Sequence, residues 1–238
     1  MIIRDKPGLR ELLFALRGSV LPVIAPSLVV VALAAAAVVA LDRFVSPMPH
    51  VSPVPFTVFG VALSLFLGFR NNAAYDRWWE ARRLWGGLVA DTRALIREAE
   101  LFLGPGAETR ALLMGQRDFP HGLRRALRGE AAGCERIRST PLPYVYSLLI
   151  FRTSWLYCLL LPLALLEGPG WMAPVFVSIV AYVFFGLAEV TEELAHPFGQ
   201  TANALPLSAI CRTCDIALAP ALGEPVPAPL QPVGFRLD

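Results

Sequence analysis

An all-helical membrane protein is the fold class this sequence predicts: four transmembrane helices per subunit with a helical cytosolic extension. Three observations predict it. The 238 residues are 55% hydrophobic and only 17% charged, with a positive mean hydropathy, which is too apolar for an ordinary soluble globule. The apolar residues gather into four stretches, Leu21–Leu41, Phe56–Phe69, Thr153–Leu166 and Trp171–Ala188. If these cross a bilayer as two hairpins, Arg43 is the one residue among 21 Lys and Arg that lies outside. Short loops keep positive charge on the cytoplasmic side, so the partition predicts a multi-pass protein with both termini in the cytoplasm.

Residues 1–20 read as a short amphipathic helix, with Leu9, Leu12, Leu13 and Leu16 at helical spacing between charges. The apolar run that follows is long enough to span a bilayer and longer than the core of a secretory signal, so it is expected to be retained as the first span, about 21–41. A proline-rich outer loop, Ser46-Pro-Met-Pro-His-Val-Ser-Pro-Val-Pro55, cannot be helical throughout, because proline lacks a donor and restricts its predecessor.

The second span, about 56–72, is the most informative. Phe56–Phe69 covers about 21 Å, short of a hydrocarbon core of about 30 Å, and runs without a breaker into Arg70-Asn-Asn-Ala-Ala-Tyr-Asp-Arg-Trp-Trp-Glu-Ala-Arg-Arg-Leu-Trp85. A helix that passes from membrane to cytoplasm and is short in its apolar part suits the inside of a bundle. The cytosolic helical region, about 73–140, is expected to break at Gly104-Pro-Gly106 and again at Phe119-Pro-His-Gly122. Thr140-Pro-Leu-Pro143 turns the chain back to a third span, about 148–166. The outer turn Glu167-Gly-Pro-Gly170 makes the fourth, about 171–188, its antiparallel neighbour. Cytosolic helix resumes over about 189–218, and the prolines of 219–238 predict an extended or disordered tail.

Within the second span Val61, Leu65 and Phe69 recur every fourth position and form one ridge. Gly60, Ser64 and Gly68 form an adjacent strip of small residues that permits close helix packing. Several copies around an axis would turn the ridge into rings of an apolar constriction, which gates by dewetting. The plainer alternative is burial of both strips within one subunit. Arg152, the basic residue well inside an apolar run, either borders a water-filled vestibule or snorkels to the headgroups; the latter, or a structural ion pair, is the simpler account.

Other chemistries find little support. The charge of +2 with interspersed acids gives no nucleic-acid patch. Cys211-Arg-Thr-Cys214 has no second pair or adjacent histidine, so it reads as inert thiols on a helix rather than a metal site. His50, His121 and His196 lie outside the spans, and no span carries a carboxylate pair, so no enzyme site or cofactor is expected. Inverted repeats of the transporter kind are not evident.

Phe66-Leu-Gly-Phe-Arg-Asn-Asn-Ala-Ala-Tyr-Asp-Arg-Trp-Trp-Glu-Ala-Arg-Arg-Leu-Trp85 resembles the second-helix motif of bestrophins, the bacterial branch above all. Glu192-Glu-Leu-Ala-His-Pro-Phe-Gly199 followed by Asn203-Ala-Leu-Pro-Leu207, and Arg136-Ile-Arg-Ser-Thr-Pro-Leu-Pro-Tyr144, are similar to two further stretches of that family, in the family's order. The resemblance extends over 1–218 as one channel domain. It implies a homopentamer, a central pore through which small monovalent ions pass, and a hydrophobic neck at Val61, Leu65 and Phe69. It puts anions such as chloride first, with a sodium-conducting bacterial type as the alternative; a non-conducting oligomeric scaffold or a transporter is the rival from another class.

Trp78, Trp79 and Trp85 are expected to anchor cytosolic helices, and Arg77 to pair with Glu80 or Asp76. In animal members a run of acidic residues after the Pro-Phe-Gly motif binds calcium. Gln200-Thr-Ala-Asn-Ala204 has no carboxylate, and Glu192 and Glu193 alone cannot supply six to eight oxygens, so calcium activation through this stretch is not expected.

Overall fold

The computed structural model describes residues 1–2, 18–48, 51–128, 144–166, 168 and 170–238, with the backbone alone at 144. The amphipathic segment expected before residue 18 and the motif over Arg136–Pro143 therefore lie outside the described residues, as do Cys134 and His50. Among the described residues six α-helices follow in order: α1 Leu21–Phe44, α2 Pro53–Phe102, α3 Ala107–Arg128, α4 Tyr144–Ala164, α5 Ala173–Ala195 and α6 Leu207–Leu222. Four of them, α1, α2, α4 and α5, are long and apolar enough to cross a bilayer. Helices suit that solvent because each satisfies its own backbone polar groups.

The chain divides into two compact units. The span unit comprises 9–75 and 142–192, and the extension unit comprises 1–8, 76–141 and 193–238. α2 belongs to both. Its 50 residues run without interruption for about 75 Å, as the lack of any breaker predicts. Pro53 and Pro55 stand in its first turn, where a missing N–H costs no intrahelical bond.

In the span unit one core joins all four helices. Val31 and Ala35 of α1, Leu63 and Leu67 of α2, Ile150 and Cys158 of α4, and Val177 and Ala181 of α5 are all buried in it. α4 and α5 are joined by a short turn and meet through Trp155 and Phe185, with ring centroids 5.1 Å apart, and through Tyr157 and Phe184 at 5.5 Å. The antiparallel pairing expected from the turn is present. Phe44 at the end of α1 meets Trp171 of the 3₁₀ turn before α5.

In the extension unit α3 packs along α6. The buried stripe of α3 is Thr109, Leu113, Pro120 and Leu127, spaced by four and seven, as an amphipathic helix requires. Here the expected break at Phe119–Gly122 is corrected: α3 runs straight through it. Proline's fixed φ is itself helical, the ring is fully buried, and the Pro120 carbonyl accepts from Cys211 Sγ at 3.4 Å, so packing offsets the lost backbone bond. The break at Gly104–Gly106 is found where expected, between α2 and α3, with Gly104 at φ 65°. His121 of α3 and Asp215 of α6 pair at 2.9 Å.

α6 continues through Pro220 and ends at Gly223, whose φ of 69° closes the helix with N–H bonds back to its last carbonyls. The residues beyond it lack regular helix, yet they are held. Asp238 pairs with Arg128 and accepts at its carbonyl from Ala209 N, Arg236 donates to Gln200 O, and Glu224 pairs with Arg117 at 2.7 Å.

Candidate functional site

α2 carries the candidate site, and its exposure pattern is two-sided. Val61, Leu65 and Phe69 are 66%, 57% and 62% exposed, while Leu63 and Leu67 are 4% and 0%. At 100° per residue the ridge, with Val54 and Val58 above it, falls within an arc of about 80°. Leu63, Leu67, Arg70, Ala74, Ala81 and Trp85 are buried and cluster on the opposite side of the helix. Among the described residues the ridge is therefore not buried against its own chain.

The small strip divides. A Cβ at Gly60 would lie 2.7 Å from Tyr157 Oη of α4, so this glycine serves packing within the chain. At Gly68 the same Cβ would meet nothing within 4 Å, and Ser64 is exposed with its hydroxyl donating to Gly60 O at 2.7 Å. The strip's expected role against another copy is thus available to Ser64 and Gly68.

The same helical line continues past the ridge through Asn72 and Asp76, both exposed. The 61–65–69–72–76 spacing was readable in the sequence, but the change from apolar to polar residues hid its continuity. Arg152 is exposed on α4, on the side away from Ile150, Ser154 and Tyr157, which face the core.

Where the helices of the span unit end, Arg70 Nη2 donates to Glu192 Oε2 at 2.6 Å and to Ser147 Oγ at 2.7 Å. This triad joins α2, α4 and α5, and it left no local mark in the sequence because the three residues are 45 or more positions apart. Thr191 of α5, fully buried, reaches Asn71 Oδ1 at 3.4 Å. In the extension unit Glu193 accepts from the Asn203 side-chain amide, and Trp78 Nε1 donates to Asn203 O at 3.0 Å. Gly199 turns the chain after α5 so tightly that a Cβ would press on His196 O at 3.2 Å, and Phe198 is thereby buried beside Trp85, Leu205 and Leu207. Trp85 and Trp78 are anchors of the expected kind. Trp79, 43% exposed and stacked on Trp78, is not buried by its own chain. Burial lowers the Arg77 guanidinium, and the Glu80 charge opposes that shift.

Cys211 and Cys214 are buried on α6. Burial pushes Cys211 up to about 11 and raises Cys214 as well, the behaviour of protonated packing thiols. Among the described residues no cluster of His, Cys, Asp and Glu has metal-holding geometry.

Fold and ridge together define a multi-pass helical membrane protein whose long second helix keeps one apolar face uncovered by its own chain. The chain belongs to the bestrophin family: the pattern described as "Bacterial/Fungal Bestrophin protein" matches residues 1–132 and 130–220. A "Voltage-dependent anion channel-forming protein" of Mesorhizobium japonicum is 39% identical, over 99% of this chain and 96% of the relative. Another protein of that name, from Escherichia coli K12, is 31% identical over 98% of each chain. The crystal structure of a bacterial bestrophin homologue from Klebsiella pneumoniae superposes with a TM-score of 0.78 at 26% identity, over 84% of this chain and 99% of that one.

The alignment with the Mesorhizobium protein spans 298 positions, 60 more than this chain has residues. The family match falls in two blocks that meet at 130–132.

Proposed function

We propose that this chain assembles as a homopentamer in the bacterial inner membrane, with both termini cytoplasmic, and passes small monovalent anions such as chloride through a central neck of Val61, Leu65 and Phe69. The observation that carries the reading is the exposure of that ridge beside a fully buried opposite face. Exposed apolar rows of this size on a membrane helix meet lipid, another subunit or a permeation path. Ser64 and Gly68 next to the ridge allow a neighbouring helix to approach closely, which favours the last two. Five such ridges make a narrow apolar collar that holds or loses its water column as its width changes, and ions cross by shedding part of their hydration. No bond is made or broken.

The names of the curated relatives support anions over sodium and voltage as the gating variable. Calcium has no part in this reading, because Glu192 is committed to Arg70, Glu193 to Asn203, and Gln200–Ala204 offers no carboxylate.

Purified protein in planar bilayers under asymmetric NaCl tests the proposal. Discrete currents reversing towards the chloride potential are expected, and replacing Leu65 by Ala changes conductance or open probability while leaving thermal stability unchanged. Leu67→Ala, on the buried face, lowers stability by about 2 kcal/mol or more. Silent bilayers would favour a scaffold, reversal towards the sodium potential would favour the cation type, and indifference to Leu65→Ala would remove the neck.

A further inference from the structure

Within the extension unit α2 runs on from Asp76 to Phe102, and one side of it is closed. Ala81, Trp85, Thr92 and Ala99 are buried there and fall, at 100° per residue, within an arc of about 40°. The charged residues sort themselves about that arc. Arg82, Arg93 and Arg97, all exposed, lie on one flank; Asp91 and Glu98, both exposed, lie on the other with the half-buried Glu80. Asp76 and Arg83 stand between the flanks, opposite the buried arc, and the half-buried Arg77 lies beside the acidic flank near Glu80. Glu100 breaks the sorting, one turn beyond Arg97 on the basic flank. Arg82 is engaged over the Trp78 ring of its own chain at 5.8 Å. Asp91, Arg93, Arg97 and Glu98 have no ion-pair partner among the described residues. Nor does the helix supply one for the two carboxylates: no cation stands three or four positions from Asp91 or Glu98, while Arg93 and Arg97 stand four apart and repel.

We infer that these flanks are the faces by which copies of this chain meet outside the spans, the basic flank of one against the acidic flank of the next. Arg93 then reaches Asp91 of the neighbour, and Arg97 reaches Glu98. Rotation about a common axis keeps every residue at its own height. The partners differ by two residues and by one, about 3 and 1.5 Å of helix rise, which an arginine side chain spans. Either flank set against itself brings like charges together, so basic on acidic is the contact that attracts. Because the flanks lie on different sides of one helix, the contact repeats head to tail and closes a ring. Exposed pairs are individually weak, so they orient neighbours more than they hold them. The inference rests on the ring assembly proposed above and adds which surfaces meet and in which sense.

The test uses the full-length protein in detergent. Arg93→Glu with Arg97→Glu turns attraction into repulsion at both levels. It is expected to raise the chain concentration at which rings form by about tenfold, followed by gel filtration on dilution. Adding Asp91→Arg and Glu98→Arg exchanges the flanks and restores wild-type assembly, which a merely structural role for the arginines would not allow. Helical circular dichroism equal to wild type shows that the variants fold. In a separate variant, Asp91→Cys with Arg93→Cys is treated with a short bismaleimide. A ladder of linked products past two chains is expected, and none from Arg93→Cys alone. With wild type a ring, assembly indifferent to the reversal, a fourfold exchange that fails to restore it, or linkage stopping at two chains would each overturn this contact alone. A wild type that forms no ring removes the proposed assembly and the contact together.

Discussion

Arg70 and Glu192 stand 122 positions apart and meet at 2.6 Å, the guanidinium almost wholly buried and the carboxylate half exposed. Their pairing ties the end of the apolar part of α2 to the end of α5, and Ser147 adds the start of α4. A buried cation of this kind is held by its partner rather than by water, so the two residues are unequal in what their loss does.

Glu192→Gln leaves the buried guanidinium facing a neutral amide. The expected loss is about 1–2 kcal/mol, at the low end because Glu192 is half exposed, and it is read as a lower thermal midpoint in detergent. The double change Arg70→Met with Glu192→Leu recovers most of it. A midpoint for Glu192→Gln equal to wild type would show that the pair is structurally idle.

Gly60 and Gly68 look equivalent in sequence and are opposite in place. Gly60→Ala forces its new methyl against Tyr157 Oη and destabilises the chain by about 1–3 kcal/mol. Gly68→Leu meets nothing in its own chain, so it keeps the fold and weakens the oligomer, seen as a shift to smaller species on gel filtration. Loss of fold in Gly68→Leu would show that the face packs within its own chain, and intact assembly would place it against lipid.

Asp76 lies on the helical line of the proposed neck and past its end. A ring of carboxylates there repels anions, so Asp76→Asn raises the chloride-to-sodium permeability ratio by about two- to fivefold, measured from reversal potentials. An unchanged ratio would remove Asp76 from the ion path.

With its pKa pushed up to about 11, Cys211 is about 0.1% thiolate at pH 8, against about a tenth for a thiol at the ordinary value of 9.0. Alkylation of the folded protein at that pH is expected to run at least about a hundredfold slower than in the unfolded chain. The sign for stability follows from the raised value. The thiol's contribution is complete below its ordinary value of 9.0 and is lost as pH climbs through about 11. Rapid labelling of Cys211 in native membranes would contradict its burial.

Several local features were legible before any coordinates. The unbroken passage of α2 out of the membrane, the stop at Gly104–Gly106 and the antiparallel pairing of α4 and α5 each follow from breakers, turn length and hydropathy. The line of Val61, Leu65 and Phe69 was likewise visible as spacing. Pro120 misled because a breaker rule describes an isolated helix, whereas this ring is buried and its carbonyl accepts from Cys211 of the neighbouring helix, so the helix continues through it. What fastens the proline-rich tail was not legible for the same reason: Asp238, Arg236 and Glu224 tie it to residues distant in the chain.

The sequence by itself determined that this is a four-span helical membrane protein, because lipid imposes one solution on backbone polar groups and the apolar lengths record it. Periodicity can place residues on a common face but cannot say what that face meets. Only the tertiary structure decided that Leu67 turns inward and Leu65 does not, that Gly60 rests on Tyr157 while Gly68 stays open, and that Arg70 finds Glu192. Each of those choices is a contact between helices, fixed by how four helices pack around one core, and contacts between distant segments leave no local mark in a single chain.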